Sequence, residues 1–355
     1  MSAWILTRSE PAREGLQPFD PQQDLRQVAQ LVSAVFADEL DASGRNALQE
    51  MRLVGRFSPF LGGMLSMAFF EDFVSGYVWI ERGKVVGNVT LQRADPNGVR
   101  WRISNVAVTP QYRRHGIARS LMTAALREIA VRGGSWAVLQ VRTDNPSAHR
   151  LYEDLGFSDV CQDGIWKLPV LADPPPPRDR AVTLHRLDRA FPGLTGNTPG
   201  LGWKDRFDLA QAARTPLAQW AGPLHPADYQ FDILRLLGES LGNLTEIARV
   251  ERWGATDGTR LIGAVEARGS ILGTTHALRF AVRPEARGRV EAVLVAQGLS
   301  SLARLPRRPV LAEHSGDHLE GVAALEAAGF RAQRVLMTMR RQTKPGDVEL
   351  WPEAR

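Results

Sequence analysis

Four consecutive prolines, Pro174 to Pro177, interrupt the chain close to its middle. Proline fixes φ and lacks an amide hydrogen, so such a run joins neither a helix nor an inner strand and takes extended polyproline geometry. The stretch Ala172 to Arg178 reads as a spacer between two parts of ordinary domain size. The expected layout is a first domain over 1–171, a linker over 172–180, a second domain over 181–345 and a tail over 346–355.

The two parts share a pattern. Ala107-Val-Thr-Pro110 returns as Ala281-Val-Arg-Pro284, 174 positions later, and Asp154-Leu-Gly-Phe157 returns as Ala327-Ala-Gly-Phe330, 173 positions later. Two matches at nearly one spacing, each in the same predicted setting, indicate a duplicated domain.

In the first part, helical periodicity covers Asp24 to Phe36, and a second helix is expected near Asn46 to Val54. Gly76 to Glu81 and Val85 to Arg93 read as a hairpin about Arg82-Gly83-Lys84, and Arg102 to Val108 as a third strand. Ile117, Ala118, Leu121, Met122, Ala125, Ile129 and Ala130 recur at helical spacing, closed by Gly133-Gly134. Ala137 to Val141 is a strand, Asn145-Pro146 opens a short helix that Gly156 ends, and a strand pair is expected after Phe157. In the second part, Thr183 to Leu187 and Leu261 to Glu266 read as strands. The fold class is mixed α/β: two tandem domains, each a mostly antiparallel twisted sheet flanked by helices.

Composition narrows the class. Hydrophobic residues are 44% and charged residues 23%, values of a globular chain rather than a disordered one. The net charge is +5, but acidic residues are interleaved with the arginines and no run of five or six like charges occurs. That pattern argues against nucleic acid and suits an anionic small ligand. A single cysteine, Cys161, excludes an intramolecular disulfide, provides no zinc cluster and fits a reducing compartment. The apolar stretch Phe57 to Phe70 is too short to span a bilayer, and the N-terminus lacks the apolar core of a signal peptide. The expectation is a cytoplasmic protein with no membrane contact.

Two segments carry chemistry. Asn105-Val-Ala-Val-Thr-Pro-Gln-Tyr-Arg-Arg-His-Gly-Ile-Ala-Arg119 runs from a strand through a basic, glycine-containing loop into a helix. The first turn of a helix offers unpaired N–H groups and the positive end of its dipole to phosphate oxygens. Gly116 lets backbone approach a ligand, and Arg113, Arg114 and Arg119 add charge. The plain alternative is an ordinary connection with a solvated basic turn. The second segment, Arg142 to Phe157, is a capped helix with Ala148, Leu151 and Leu155 toward the core and Tyr152 as a half-buried aromatic.

Together the segments resemble the GNAT superfamily of N-acetyltransferases. Arg113-x-x-Gly116-x-Ala118 is similar to its pyrophosphate-binding motif, and Asn145-x-x-Ala148-x-x-Leu151-Tyr152-x-x-x-Gly156-Phe157 to its later motif, most like the ribosomal-protein branch. The resemblance implies that Val106, Ala107 and Val108 pair through their backbone with the pantetheine arm of acetyl-coenzyme A. It implies that the N–H groups of Arg113, Arg114, His115, Gly116, Ile117 and Ala118 hold the pyrophosphate, with Arg119 adding charge. Asn145 would contact the cofactor arm or shape its slot, and Tyr152 would protonate the leaving thiolate. The acceptor would be a small-molecule or peptide amine, and no metal is required.

Some positions depart from the family pattern. The third strand, Trp101-Arg-Ile-Ser-Asn-Val-Ala-Val108, lacks the glutamate that many members use as general base. Glu71, Asp72 or a water wire to a backbone carbonyl are the substitutes, and the two carboxylates read equally as solvated charges. Phe57, Phe60, Phe69, Phe70 and Phe73 shape either an acceptor pocket or plain core. Cys161 has no assigned role. In the second part Val290 stands for Gly116, His318 for Asn145 and Leu325 for Tyr152, so that copy is expected to be degenerate and without catalysis. His314-x-x-Asp317-His318 reads as a polar loop rather than a metal site. The expected function is acetyl transfer from acetyl-CoA to an amine by the first domain. The rival is a non-catalytic acyl-CoA-binding or sensor protein.

Overall fold

The computed structural model describes residues 13–36, 75–170, 182–187, 202–229, 248–258, 260–344 and 346–349. The proline spacer, the helix expected near 46–54, the phenylalanine-rich segment and Glu71-Asp72 lie outside them. The chain forms two compact units. The first comprises Met1–Gln140, Pro146–Ser158 and Met339–Arg355, and the second Val141–Asn145 and Asp159–Thr338.

In the first unit the strands are β1 (Gly15–Pro18), β2 (Ser75–Glu81), β3 (Lys84–Arg93), β4 (Arg100–Val108) and β5 (Trp136–Arg142), adjacent in that order. The first four are antiparallel neighbours. β4 and β5 are parallel, which requires a crossover, and the helix α2 (Ile117–Val131) provides it. The helix α1 (Pro21–Val35) starts where Asp20 caps the Gln22 N–H and Pro21 takes the first turn. Its apolar stripe, Val28, Leu31 and Val32, packs with Val78, Ile80 and Ala107. Ala107 faces Asn88 across the ladder, so the adjacent Gly87 points to the other side of the pleat. There α2 crosses closely: a Cβ on Gly87 would lie 2.9 Å from Ile117 and 3.0 Å from Leu121. The helical spacing read from the sequence thus buries Ile117, Leu121, Met122, Ala125 and Ile129 on the sheet. The short helix α3 (Pro146–Asp154) follows β5.

In the second unit the order is β6 (Ser158–Leu168), β11 (Val310–Ser315), β10 (His276–Val282), β9 (Arg260–Ser270), β8 (Ala248–Asp257) and β7 (Leu184–Arg186). The strand pair expected after Phe157 is a single eleven-residue strand. Its partner is β11, antiparallel from Asp163–Ser315 to Leu168–Val310, about 150 residues along the chain. Gly164 makes no turn there; it packs against the Trp166 ring, which a Cβ would meet at 2.5 Å.

The helices α4 (Trp203–Ala212) and α5 (Pro216–Ala221) come between β7 and β8 in the chain. The antiparallel run β8-β9-β10 is followed by the helix α6 (Glu291–Leu302), parallel β11 and the helix α7 (Leu319–Ala327). That is the plan of β2-β3-β4, α2, β5 and α3. Here too the crossover helix passes over a glycine, Gly263, whose Cβ would meet Leu294 and Val290 at 2.9 and 3.0 Å. The apolar core of this unit is assembled from Val265, Leu278, Leu294, Val310, Leu325 and their neighbours, all buried. At about 1.5–3 kcal/mol per buried aliphatic side chain, such clusters are the main favourable contribution in each unit.

Candidate active site

Beside β3, the strand β4 carries a bulge. Asn88 pairs with Ala107 and Thr90 with Ser104, so Asn105 and Val106 together oppose Val89. Asn105 takes the left-handed conformation at φ 52°. A buried polar cluster holds it there: Asn88 Nδ2 donates to the Asn105 carbonyl at 3.0 Å and to Thr90 Oγ1 at 3.2 Å, and Asn105 Nδ2 donates to Thr90 Oγ1 at 3.3 Å. On its other side β4 pairs with β5 through three residues alone, Arg100 to Arg102. Val106, Ala107 and Val108 therefore run past the end of that ladder.

The loop after β4 is fixed from behind. Thr109 N–H donates to the Val86 carbonyl at 2.9 Å, Pro110–Tyr112 forms a single tight turn, and Arg113 Nε returns to the Val108 carbonyl at 3.1 Å. Arg114 and Gly116 both have positive φ, 65° and 78°. A Cβ on Gly116 would meet nothing within 4 Å, so the glycine borders open space. The helix α2 begins at Ile117 with no side-chain cap, and Ser120 N–H to the Gly116 carbonyl is its first internal bond. The N–H groups of the first turn are thus left for an external acceptor. Arg113, Arg114, His115, Gly116 and Arg119 are exposed around them, Ala118 is half-buried and Ile117 buried.

Arg119 also reaches α3, pairing with Asp154 at 2.7 Å. The end of α3 is a Schellman motif: Phe157 N–H bonds the Tyr152 carbonyl at 3.0 Å and Gly156 N–H the Glu153 carbonyl at 2.8 Å, with Gly156 at φ 85°. Tyr152 is 6% exposed. Burial pushes its phenol pKa up to about 12, so it carries its proton throughout the neutral range. Among the described residues the hydroxyl has no hydrogen-bond partner. Asn145 stands in the turn between β5 and α3, its N–H bonded to the Arg142 carbonyl at 3.0 Å, and falls in the Val141–Asn145 segment of the second unit.

Two features were not legible in the motifs. One is the Asn88–Thr90–Asn105 cluster, whose only trace is a pair of polar residues two apart in the otherwise apolar, buried stretch Val85–Leu91 of β3. The other is the double duty of Arg113 and Arg119, which brace the loop as well as charging it. No carboxylate stands on β4, as its sequence requires.

The second unit reproduces the frame with other side chains. Val290 occupies the position before α6 that Gly116 occupies before α2, at φ −121°. Leu325 takes the place of Tyr152 in the same Schellman arrangement: Phe330 N–H bonds the Leu325 carbonyl at 3.0 Å and Gly329 N–H the Glu326 carbonyl at 2.9 Å. His314 and His318 are no solvated loop; both are buried and bonded to each other. Among the described residues no group of three His, Cys, Asp or Glu side chains is arranged to hold a metal, and no helix is long and apolar enough to cross a membrane.

Residues 47–157 match the model of the acetyltransferase (GNAT) family. That segment belongs to the GNAT superfamily. Two solved structures share the fold along nearly its whole length. A GCN5-related N-acetyltransferase from Sphaerobacter thermophilus has a TM-score of 0.57 at 17% identity, covering 93% of this chain and 96% of its own. A tandem GNAT protein from the clavulanic acid biosynthesis pathway has a TM-score of 0.50 at 16% identity, covering 93% and 98%. Sequence likeness is shorter. The [ribosomal protein bS18]-alanine N-acetyltransferase of Escherichia coli K12 is 42% identical over 56 residues, 16% of this chain and 38% of that enzyme. Mycothiol acetyltransferase of Nocardiopsis dassonvillei is 40% identical over 70 residues, 20% of this chain and 19% of that enzyme. The chain therefore spans well under half the length of these relatives, and they support acyl transfer in general.

Proposed function

We propose that the first unit transfers an acetyl group from acetyl-CoA to an amine, and that the second carries no catalysis. The observation that carries this reading is the conjunction of an uncapped, open-sided Gly116 loop with a protonated Tyr152, its hydroxyl without a hydrogen-bond partner among the described residues, on the helix that Arg119 ties to it. In this reading the N–H groups from Arg113 to Ala118 hold the pyrophosphate, and Arg114, His115 and Arg119 face its charge. The backbone of Val106, Ala107 and Val108, lacking β5, bonds the pantetheine arm, and Asn145 borders that arm.

The acceptor nitrogen attacks the acetyl carbonyl carbon; the C–N bond forms and the C–S bond breaks. Tyr152 gives its proton to the departing thiolate, and water carries the one proton that the attacking nitrogen releases to the tyrosinate, restoring the phenol. The phenol suits this task because it still carries its proton across the neutral range, where the departing sulfur needs one. The acceptor class is a small-molecule or peptide amine. The domain boundaries at 171 and 181 and a cytoplasmic setting complete the proposal.

The missing carboxylate on β4 favours one rival, an acyl-CoA-binding protein without turnover. Release of free thiol from acetyl-CoA in the presence of amines, including alanine-terminated peptides, separates the two: amine-dependent release supports the enzyme, whereas tight binding without release across the panel supports the sensor.

A further inference from the structure

The loop from Arg287 to Glu291 in the second unit is the counterpart of Arg113 to Ile117. Each follows a proline-led turn, at Pro284 and Pro110, and each enters the helix that crosses a sheet glycine. The offset of 174 sets Gly288 on Arg114, Val290 on Gly116 and Glu291 on Ile117. Gly288 keeps the positive φ of Arg114, 77° against 65°. What differs is the residue that opens the helix. Ile117 is apolar and buried, and gives the loop no acceptor. Glu291 turns its carboxylate back onto the loop: Oε1 accepts from Gly288 N–H at 2.9 Å and Oε2 from Val290 N–H at 3.1 Å.

Glu291 is 2% exposed. Behind it His318 Nε2 lies 2.9 Å from Oε1, and His318 Nδ1 lies 3.1 Å from His314 Nε2. The His314 ring stacks on Phe280 with centroids 4.0 Å apart. Phe280 and His318 are the counterparts of Val106 and Asn145, so a continuous chain of side-chain contacts joins the loop to two positions whose counterparts are proposed to border the cofactor in the first unit. Burial alone would raise the Glu291 pKa, but its bonds from His318 and from backbone N–H groups outweigh that and hold it below the usual range. A buried carboxylate is tolerated when it is hydrogen-bonded this fully.

We infer that Glu291 is a built-in anion: its carboxylate occupies the phosphate loop of the second unit and, with His318 behind it, holds that loop closed to phosphate ligands. The loop retains the anion-binding backbone of its duplicate and satisfies it internally. The inference rests on the second unit's own bonds and stands whether or not the first unit is a catalyst.

The test uses the full chain, with inorganic pyrophosphate as the probe at ionic strength matched by sodium chloride. Thermal melting is followed for wild type, Glu291→Ala and Glu291→Gln. Because all three retain the loop of the first unit, the readout is the difference between them. Without pyrophosphate both variants are expected to melt below wild type, Glu291→Ala the lower. Saturating pyrophosphate then raises the variants by about 2–4 °C more than wild type. If Glu291→Ala fails to fold, the milder Glu291→Gln is read alone by the same criterion. An equal pyrophosphate response in wild type and variant overturns the inference, and so does a variant that melts with wild type. Acetyl-CoA affinity, measured on the same samples, is expected to stay unchanged and reports separately on the first unit.

Discussion

Tyr152 and Phe157 are joined twice: the Phe157 N–H donates to the Tyr152 carbonyl at 3.0 Å, and their rings lie 6.1 Å apart. The bond belongs to the helix ending and the ring contact accompanies it, so the motif that stops α3 also fixes where the phenol stands. The second unit keeps the helix ending with Leu325 in place of the tyrosine, and so separates the structural part of the motif from its hydroxyl.

Tyr152→Phe follows directly. Since the hydroxyl makes no hydrogen bond among the described residues, its loss should alter the melting temperature little. If it protonates the thiolate, kcat falls about 10²–10⁴-fold with acetyl-CoA affinity nearly unchanged. Steady-state kinetics with an acceptor from the amine panel, beside a melting curve, is the measurement. A kcat equal to wild type removes Tyr152 from the chemistry.

Alkaline pH provides a second test. Burial raises the pKa of Tyr152 from 10 to about 12, and burial together with the charge and hydrogen bond of Glu128 does the same for Tyr77. The neutral form is the one the fold favours, so this contribution is complete below pH 10 and is lost as pH rises from 10 toward 12. Two pH units amount to about 2–3 kcal/mol for the buried Tyr152. Urea unfolding at intervals across this window should show a falling stability in wild type. The fall should be shallower by one proton in Tyr152→Phe, and equal slopes would count against the burial of that phenol.

Asn88→Leu probes the bulge. The substitution removes the donor to the Asn105 carbonyl at a site only 1% exposed and leaves that carbonyl and Thr90 Oγ1 underbonded. The expected cost is about 1–3 kcal/mol, against about 0.5–1.5 kcal/mol for the core control Ile129→Val. Chemical denaturation of both variants decides; a neutral Asn88→Leu would mean that the cluster does not hold Asn105 in place.

The sequence was most informative where chemistry is local. The spacing from Ile117 to Ala130 specified α2 because the periodicity of an apolar helix stripe is written within that segment, whichever surface later covers it. Gly156 marked the end of α3 because positive φ there nearly demands glycine. The repeat at 174 positions carried the duplicated plan, since Pro110 and Pro284 start the same turn. What stayed hidden depends on partners far along the chain. The eleven-residue β6 is completed by β11, and no short-range pattern encodes a pairing across about 150 residues. Glu291 reads in sequence as an ordinary acidic residue in the first turn of a helix; its role needs His318, 27 positions away, and a loop folded back on it. The bulge at Asn105 is equally silent until β3 lies beside β4.

The central claim is one acetyl-CoA site per chain, at the Gly116 loop. Calorimetric titration of the full chain with acetyl-CoA, for wild type and Gly116→Val, tests it most directly. The valine would fill the open space beside the loop and would be strained at φ 78°, whereas Val290 in the second unit stands at −121°. Wild type should bind one equivalent, and the variant should bind at least about tenfold more weakly, a difference of about 1.4 kcal/mol. Two equivalents in wild type, or an unchanged affinity in Gly116→Val, would contradict it.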